Sequence, residues 1–89
     1  MSVKVVISLE VADFATFKSV FEQSASHREE AGITESGAYQ NMDSPNNVWV
    51  IGTVTSKEAF WAFMTSDAQK ERMKTAGVVS PPTVTLLEA

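Results

Sequence analysis

The sequence predicts an α+β domain of order βαββαβ. This is a ferredoxin-like arrangement with a four-stranded antiparallel sheet and two helices on one of its faces. Three features carry the prediction. Apolar residues alternate with period two near the start of the chain, and residues 48–54 form a strand-length run that is apolar on both faces. Between and after these runs they recur at helical spacing instead. Each helical stretch then ends at a glycine, Gly32 or Gly77. Residues 1–89 read as one such domain, with no linker or low-complexity tract.

The first strand is "VKVVISLEVAD", with Val3, Val5, Ile7, Leu9 and Val11 on one face and Lys4, Val6, Ser8 and Glu10 on the other. Asp13 offers an N-cap for a helix running to about Ala31, because its carboxylate can accept from the free amides of the first turn. Phe14, Phe17, Val20, Phe21, Ser24 and Ala25 form the inward stripe of that helix. "ITESGAYQNMD" reads as a weaker second strand, with Ile33, Gly37 and Tyr39 on one side and Ala38 on the other. "DSPNN" is a turn cluster. "VWVIGTVT" is apolar on both faces, Val48, Val50 and Val54 against Trp49 and Ile51, so both faces call for a cover.

Thr55 and Glu58 form a capping box before the second helix, whose apolar side is Phe60, Phe63 and Met64. The period falters at "TSDAQ", where Ser66 or Asp67 can cap a further segment that turns Met73 and Ala76 inward. A last strand covers about Thr83 to Leu87, its approach fixed by Pro81 and Pro82.

The 89 residues are 44% hydrophobic and 20% charged, a globular composition. No cysteine is present, which rules out disulfides and cysteine-based zinc sites, and one histidine rules out a multi-histidine metal site within the chain. A net charge of −4 with scattered basic residues argues against a nucleic-acid surface. No run is long and apolar enough to span a bilayer, and "MSVKVVISLEV" lacks a signal-peptide pattern, so a cytoplasmic location is expected. A domain this small without staples often gains stability by association. The doubly apolar third strand suggests what covers its second face, namely another copy of the chain.

The βαββαβ order, together with "TSKEAFWAFMTSDAQKERM" after the third strand, resembles the dimeric α+β barrel superfamily. The likeness is greatest to small proteins related to antibiotic-biosynthesis monooxygenases, and it covers nearly the whole chain. It implies a homodimer built sheet face to sheet face, with a pocket between each sheet and its own helices. It also implies an activity drawn from a varied group: cofactor-independent oxygenases, heme-degrading enzymes, lactone isomerases, dehydratases and members without known activity. Heme degradation is disfavoured, since "DAQKERMKTAGV" has no ligand histidine and the first strand lacks the early asparagine of those enzymes.

His27, the one histidine, falls beside the inward stripe near the helix end. It reads either as a general base or donor at the pocket mouth or as a surface imidazole favoured by the helix dipole. Tyr39 reads as an orienting hydroxyl or as a sheet aromatic whose hydroxyl reaches water. The candidate ligand-binding set is Phe17, Phe21, Trp49, Phe60, Phe63, Met64 and Met73, with Met42 adding to an adaptable apolar lining. Trp49 equally suits a subunit interface. Glu10 and Arg72 are a further pair for a buried contact or a substrate clamp, while Arg28, Glu29 and Glu30 read as a hydrated helix end.

No nucleophile triad or phosphate loop is present, and no metal or cofactor is expected. The expected function is binding of a small apolar or aromatic molecule between sheet and helices, with cofactor-independent monooxygenation by His27 and Tyr39 as the enzymatic form. The alternatives are a non-catalytic binding or stress-related dimer, or an isomerase or lactone-processing enzyme of the same fold.

Overall fold

The computed structural model describes residues 3–88. In chain order these form β1 (Val3–Glu10), α1 (Phe14–Gln23), α2 (Ala25–Glu30), β2 (Ile33–Asn41), β3 (Ser44–Val54), α3 (Lys57–Met64), α4 (Asp67–Thr75) and β4 (Thr83–Glu88). Each of the two expected helices is therefore broken in two. The break between α3 and α4 falls where the sequence places it, and Ser66 is the cap of α4, accepting from the Gln69 amide. The break between α1 and α2 is at Ser24, where the apolar period runs on undisturbed. There the Ser24 hydroxyl donates to the Val20 carbonyl at 2.8 Å, a local bond that competes with the helix ladder.

Asp13 caps α1, accepting from the Thr16 amide at 2.9 Å. The cap of α3 is Ser56 and not Thr55: the Ser56 hydroxyl accepts from the Ala59 amide, so the cap moves by one residue and, with alanine at the third helical position, the reciprocal half of the expected capping box does not form. Gly32 and Gly77 follow the helices with φ of 83° and 81°, in the left-handed region that favours glycine.

The sheet order is β2-β3-β1-β4, with every neighbouring pair antiparallel. β1 and β2 consequently point the same way with β3 inserted between them, which is the split βαβ arrangement. The odd residues of β1 face the helices. Val5, Ile7, Leu9 and Val11 are buried there with Val48, Val54, Phe17 and Phe60, and this is the core. On the opposite face Tyr39, Trp49, Ile51 and Leu87 are exposed, so the second apolar face of β3 is uncovered in the single chain.

β2 departs from the simple alternation. Its pairing with β3 runs Ile33↔Val54 and Thr34↔Thr53, then resumes at Gly37↔Ile51 and Ala38↔Val50. Glu35 and Ser36 thus lie opposite Gly52 alone, which is a β-bulge, and Glu35 takes a φ of 52°. The extra residue reverses the phase of the strand. Ile33 and Ala38 are both buried toward the helices, while Tyr39 faces the open side opposite Trp49. Ile33 therefore does not share a face with Tyr39 as the period alone predicts. The hairpin that follows is tighter than "DSPNN" suggests: Met42 and Asp43 form the turn, and Met42 is 98% exposed, outside the core.

Candidate functional site

Between the sheet and the helices lies a cavity of about 80 Å³, open on one side. Its sheet wall is made by Val5, Ile7, Leu9, Val50 and Gly52, and its helix walls by Phe17, Val20 and Phe21 from α1 and by Phe60, Phe63 and Met64 from α3. Met73 and Ala76 close it from the α4 side. The Phe17 and Phe21 rings stack with centroids 6.0 Å apart and form one continuous apolar wall. At about 10–15 Å³ per water position, the space is on the order of five to eight waters, the scale of one small molecule.

The polar part of the lining is Ser24, Arg28, Ser36, Gln69 and Arg72. Arg28, in the last turn of α2, folds back over α1. Its guanidinium carbon stands 3.6 Å from the centroid of the Phe21 ring, a close cation–π stack. Its Nε donates to Ser36 Oγ at 3.0 Å and its Nη1 donates to the Phe21 carbonyl. Ser36 reaches this position because the bulge turns it toward the helices. Arg72 on α4 lies 5.5 Å from the Phe63 centroid, and its Nε donates to Gln69 Oε1 at 2.9 Å. Both guanidiniums are thus laid on phenylalanine rings of the cavity wall.

Burial pulls the Arg28 pKa below the ordinary arginine value, with the neighbouring Glu29 charge acting in the opposite direction. Arg28 remains a cation at any physiological pH. Among the described residues, neither guanidinium has a carboxylate within 4 Å, the one such ion pair being Lys4 with Glu35 on the other face at 3.9 Å. No three His, Cys, Asp or Glu side chains converge on a point among the described residues.

Six of the seven expected ligand-binding residues line this cavity: Phe17, Phe21, Phe60, Phe63, Met64 and Met73. Trp49 does not. It lies on the open sheet face, 40% exposed, where its indole N–H donates to Asn47 Oδ1 at 2.7 Å. His27 is exposed on α2 and is absent from the lining, and the residue of that turn that lines the cavity is its neighbour Arg28. Tyr39 is 58% exposed on the open face, with its ring folded over Gly37, because the bulge turns it away from the helices. The proposed catalytic pair is therefore not brought together at the cavity.

Glu10 and Arg72 are not partners either. Glu10 lies on the open face and accepts from Asn47 Nδ2, whereas Arg72 lines the cavity. Arg28 and Ser36 are what sequence reasoning missed. The signal for Arg28 was the helical series 14, 17, 21, 24, 28, which continues the inward stripe to Arg28.

No family model matches the sequence, and no curated protein matches it in sequence. Solved structures do match in fold. A protein provisionally named an antibiotic biosynthesis monooxygenase from Bordetella bronchiseptica superposes with a TM-score of 0.84 at 16% identity, covering 99% of this chain and 96% of that one. One of the same provisional name from Caulobacter crescentus gives 0.78 at 21% identity, covering 99% and 89%. SnoaB, a cofactor-independent oxygenase from Streptomyces nogalater, gives 0.77 at 21% identity, covering 99% and 92%. The chain has the fold of these antibiotic-biosynthesis-monooxygenase-like proteins, and at such identities the likeness is one of fold.

Proposed function

We propose that this chain is one subunit of a dimeric α+β barrel that holds a small, largely apolar or aromatic molecule between its own sheet and helices. The observation that carries the reading is the cavity itself. Phenylalanines and methionines wall it, and its polar groups are gathered in a few side chains, the composition expected of a small-molecule site.

The methionines supply the test. Met64 and Met73 line the cavity, while Met42 stands in solvent at the hairpin and serves as an internal control. Methyl NMR spectra recorded with increasing benzyl alcohol should show the Met64 and Met73 signals moving while Met42 stays still. Unmoved Met64 and Met73 signals at millimolar probe would refute the cavity reading.

The dimer half of the proposal rests on the uncovered sheet face, where Tyr39, Trp49, Ile51 and Leu87 expose apolar surface beside one another. Trp49 belongs to this interface in the proposal and not to the ligand site. Sedimentation should show a dimer at micromolar concentration, and Trp49→Glu should shift it toward monomer.

A second reading, oxygenation of the bound molecule without a cofactor, is favoured by the fold shared with SnoaB. It predicts oxygen consumption with a small enolic or phenolic substrate that His27→Ala leaves unchanged, since His27 lies outside the cavity.

A further inference from the structure

We infer that the cavity selects a small carboxylic acid, taken up as its anion, with Arg28 as the anchoring residue and Arg72 as the second cation. The inference rests on the cavity reading above and names the chemical class of its ligand.

The charge distribution is the first support. The chain carries 11 acidic and 7 basic residues, yet the cavity lining includes two arginines and neither an Asp nor a Glu. In an acidic protein, that is a local reversal of sign at the cavity proposed to hold a ligand.

The second support is how Arg28 is held. Its five N–H groups make two hydrogen bonds, to Ser36 Oγ and to the Phe21 carbonyl, both neutral acceptors. The other three have no protein acceptor among the described residues. Glu29, its neighbour in sequence, acts on it through space but lies beyond 4 Å and is exposed. A half-buried cation without a counter-ion is an unfavourable arrangement that a bound anion corrects. Meanwhile the Phe21 stack and the two existing bonds already fix the plane of the guanidinium, so a carboxylate meets a fork with little left to order.

The third support is the rest of the wall. Apart from the two arginines, two serines and Gln69, it is apolar, so the body of the acid is a hydrocarbon or a single aromatic ring. The volume of about 80 Å³ sets the same limit.

Benzoate and benzamide share shape and ring and differ in charge, so they form the test pair, with benzyl alcohol as the neutral reference. Titrations followed by the Met64 and Met73 methyl signals at low salt should give benzoate about tenfold tighter binding than benzamide. Arg28→Gln should remove that preference, bringing the ratio of benzoate to benzamide affinity to about one. Arg72→Gln, which leaves the Phe21 stack intact, should reduce the preference in part. If Arg28→Gln does not fold, the wild-type ratio and Arg72→Gln decide the matter.

Benzyl alcohol binding with benzoate no tighter than benzamide would overturn this inference and leave the cavity reading standing. No binding of any of the three would overturn both.

Discussion

Replacing Gly52 with alanine adds one methyl group at the point where β3 faces the bulge of β2. The added Cβ would stand 3.1 Å from Ser36 Cβ, 3.3 Å from Ser36 Cα and 3.5 Å from the Thr34 carbonyl oxygen. Carbon atoms pack best at about 3.5–4.0 Å, so the two strands must part by some tenths of an ångström. Neither Ser36 atom can rotate away, since one is backbone and the other is fixed to it. Overpacking of this kind costs about 1–3 kcal/mol, and the entropy that alanine saves in the unfolded chain offsets about 0.5–1 kcal/mol of it. The net loss is about 1 kcal/mol, which for a domain of this size lowers the melting temperature by about 4–8 °C.

Gly37→Ala is the control. Its Cβ would come closer still, 2.8 Å from the Tyr39 hydroxyl, but that contact is with the far end of a rotatable side chain, which can turn about its own bonds where the Ser36 backbone cannot. Thermal unfolding of both variants at one fixed protein concentration should therefore show Gly52→Ala as the more damaging, although its contacts are the longer ones. A neutral Gly52→Ala, or a Gly37→Ala that costs more, would refute the reasoning.

Two further predictions concern the backbone and the caps. Glu35 occupies the left-handed region at a φ of 52°, so Glu35→Gly should be more stable than Glu35→Ala by about 1 kcal/mol, the reverse of the order found at ordinary strand positions. Urea denaturation of the two variants measures this, and equal stabilities would remove the strain from the account. Asp13 accepts hydrogen bonds from the amide and the hydroxyl of Thr16, which hold its carboxyl below the ordinary carboxylate value. A lowered folded value means that the contribution is complete above the unfolded value and is lost as pH falls from about 4 through the folded one. An NMR titration of the Asp13 carboxyl should show the lowered midpoint, and Asp13→Asn should flatten that part of the acid limb; a midpoint at or above 4 contradicts the cap.

What the sequence discloses and what it hides divide on physical grounds. β1 is legible because a regular strand with one buried face writes its period directly as Val5, Ile7, Leu9 and Val11. β2 is not, because a bulge inserts a residue without any apolar marker. The residues that share the helix-facing side, Ile33 and Ala38, are five apart, an odd spacing that a strict period of two assigns to opposite faces. Tyr39 was misplaced for that reason alone. The cavity walls follow from the helical stripes, so Phe17, Phe21, Phe60 and Phe63 could be read without a structure. Trp49 could not be separated from them, since an apolar residue announces burial against something and never says what.

The polar side of the site was harder to read for a different reason. "SHREEAGI" offers four ionisable side chains in a row, and composition alone favours the histidine as the functional one. Geometry selects its neighbour. Arg28 continues the inward stripe, its long stem lets the guanidinium fold back to Phe21, and Ser36 meets it from the sheet.

Those contacts depend on features far apart in the chain. Gly52 leaves room for the bulge, Glu35 absorbs the unfavourable φ, and Ser36 is turned toward the helices as a result. Strain at Glu35 is thus coupled to the position of a charge in the cavity. If the bulge were ironed out with both residues kept and each paired singly, β2 would shift phase beyond Glu35. Ala38 would leave the core and the Ser36 hydroxyl that holds Arg28 would turn outward. The cost of the bulge is accordingly local, while the arrangement it maintains extends from the sheet edge to the mouth of the cavity.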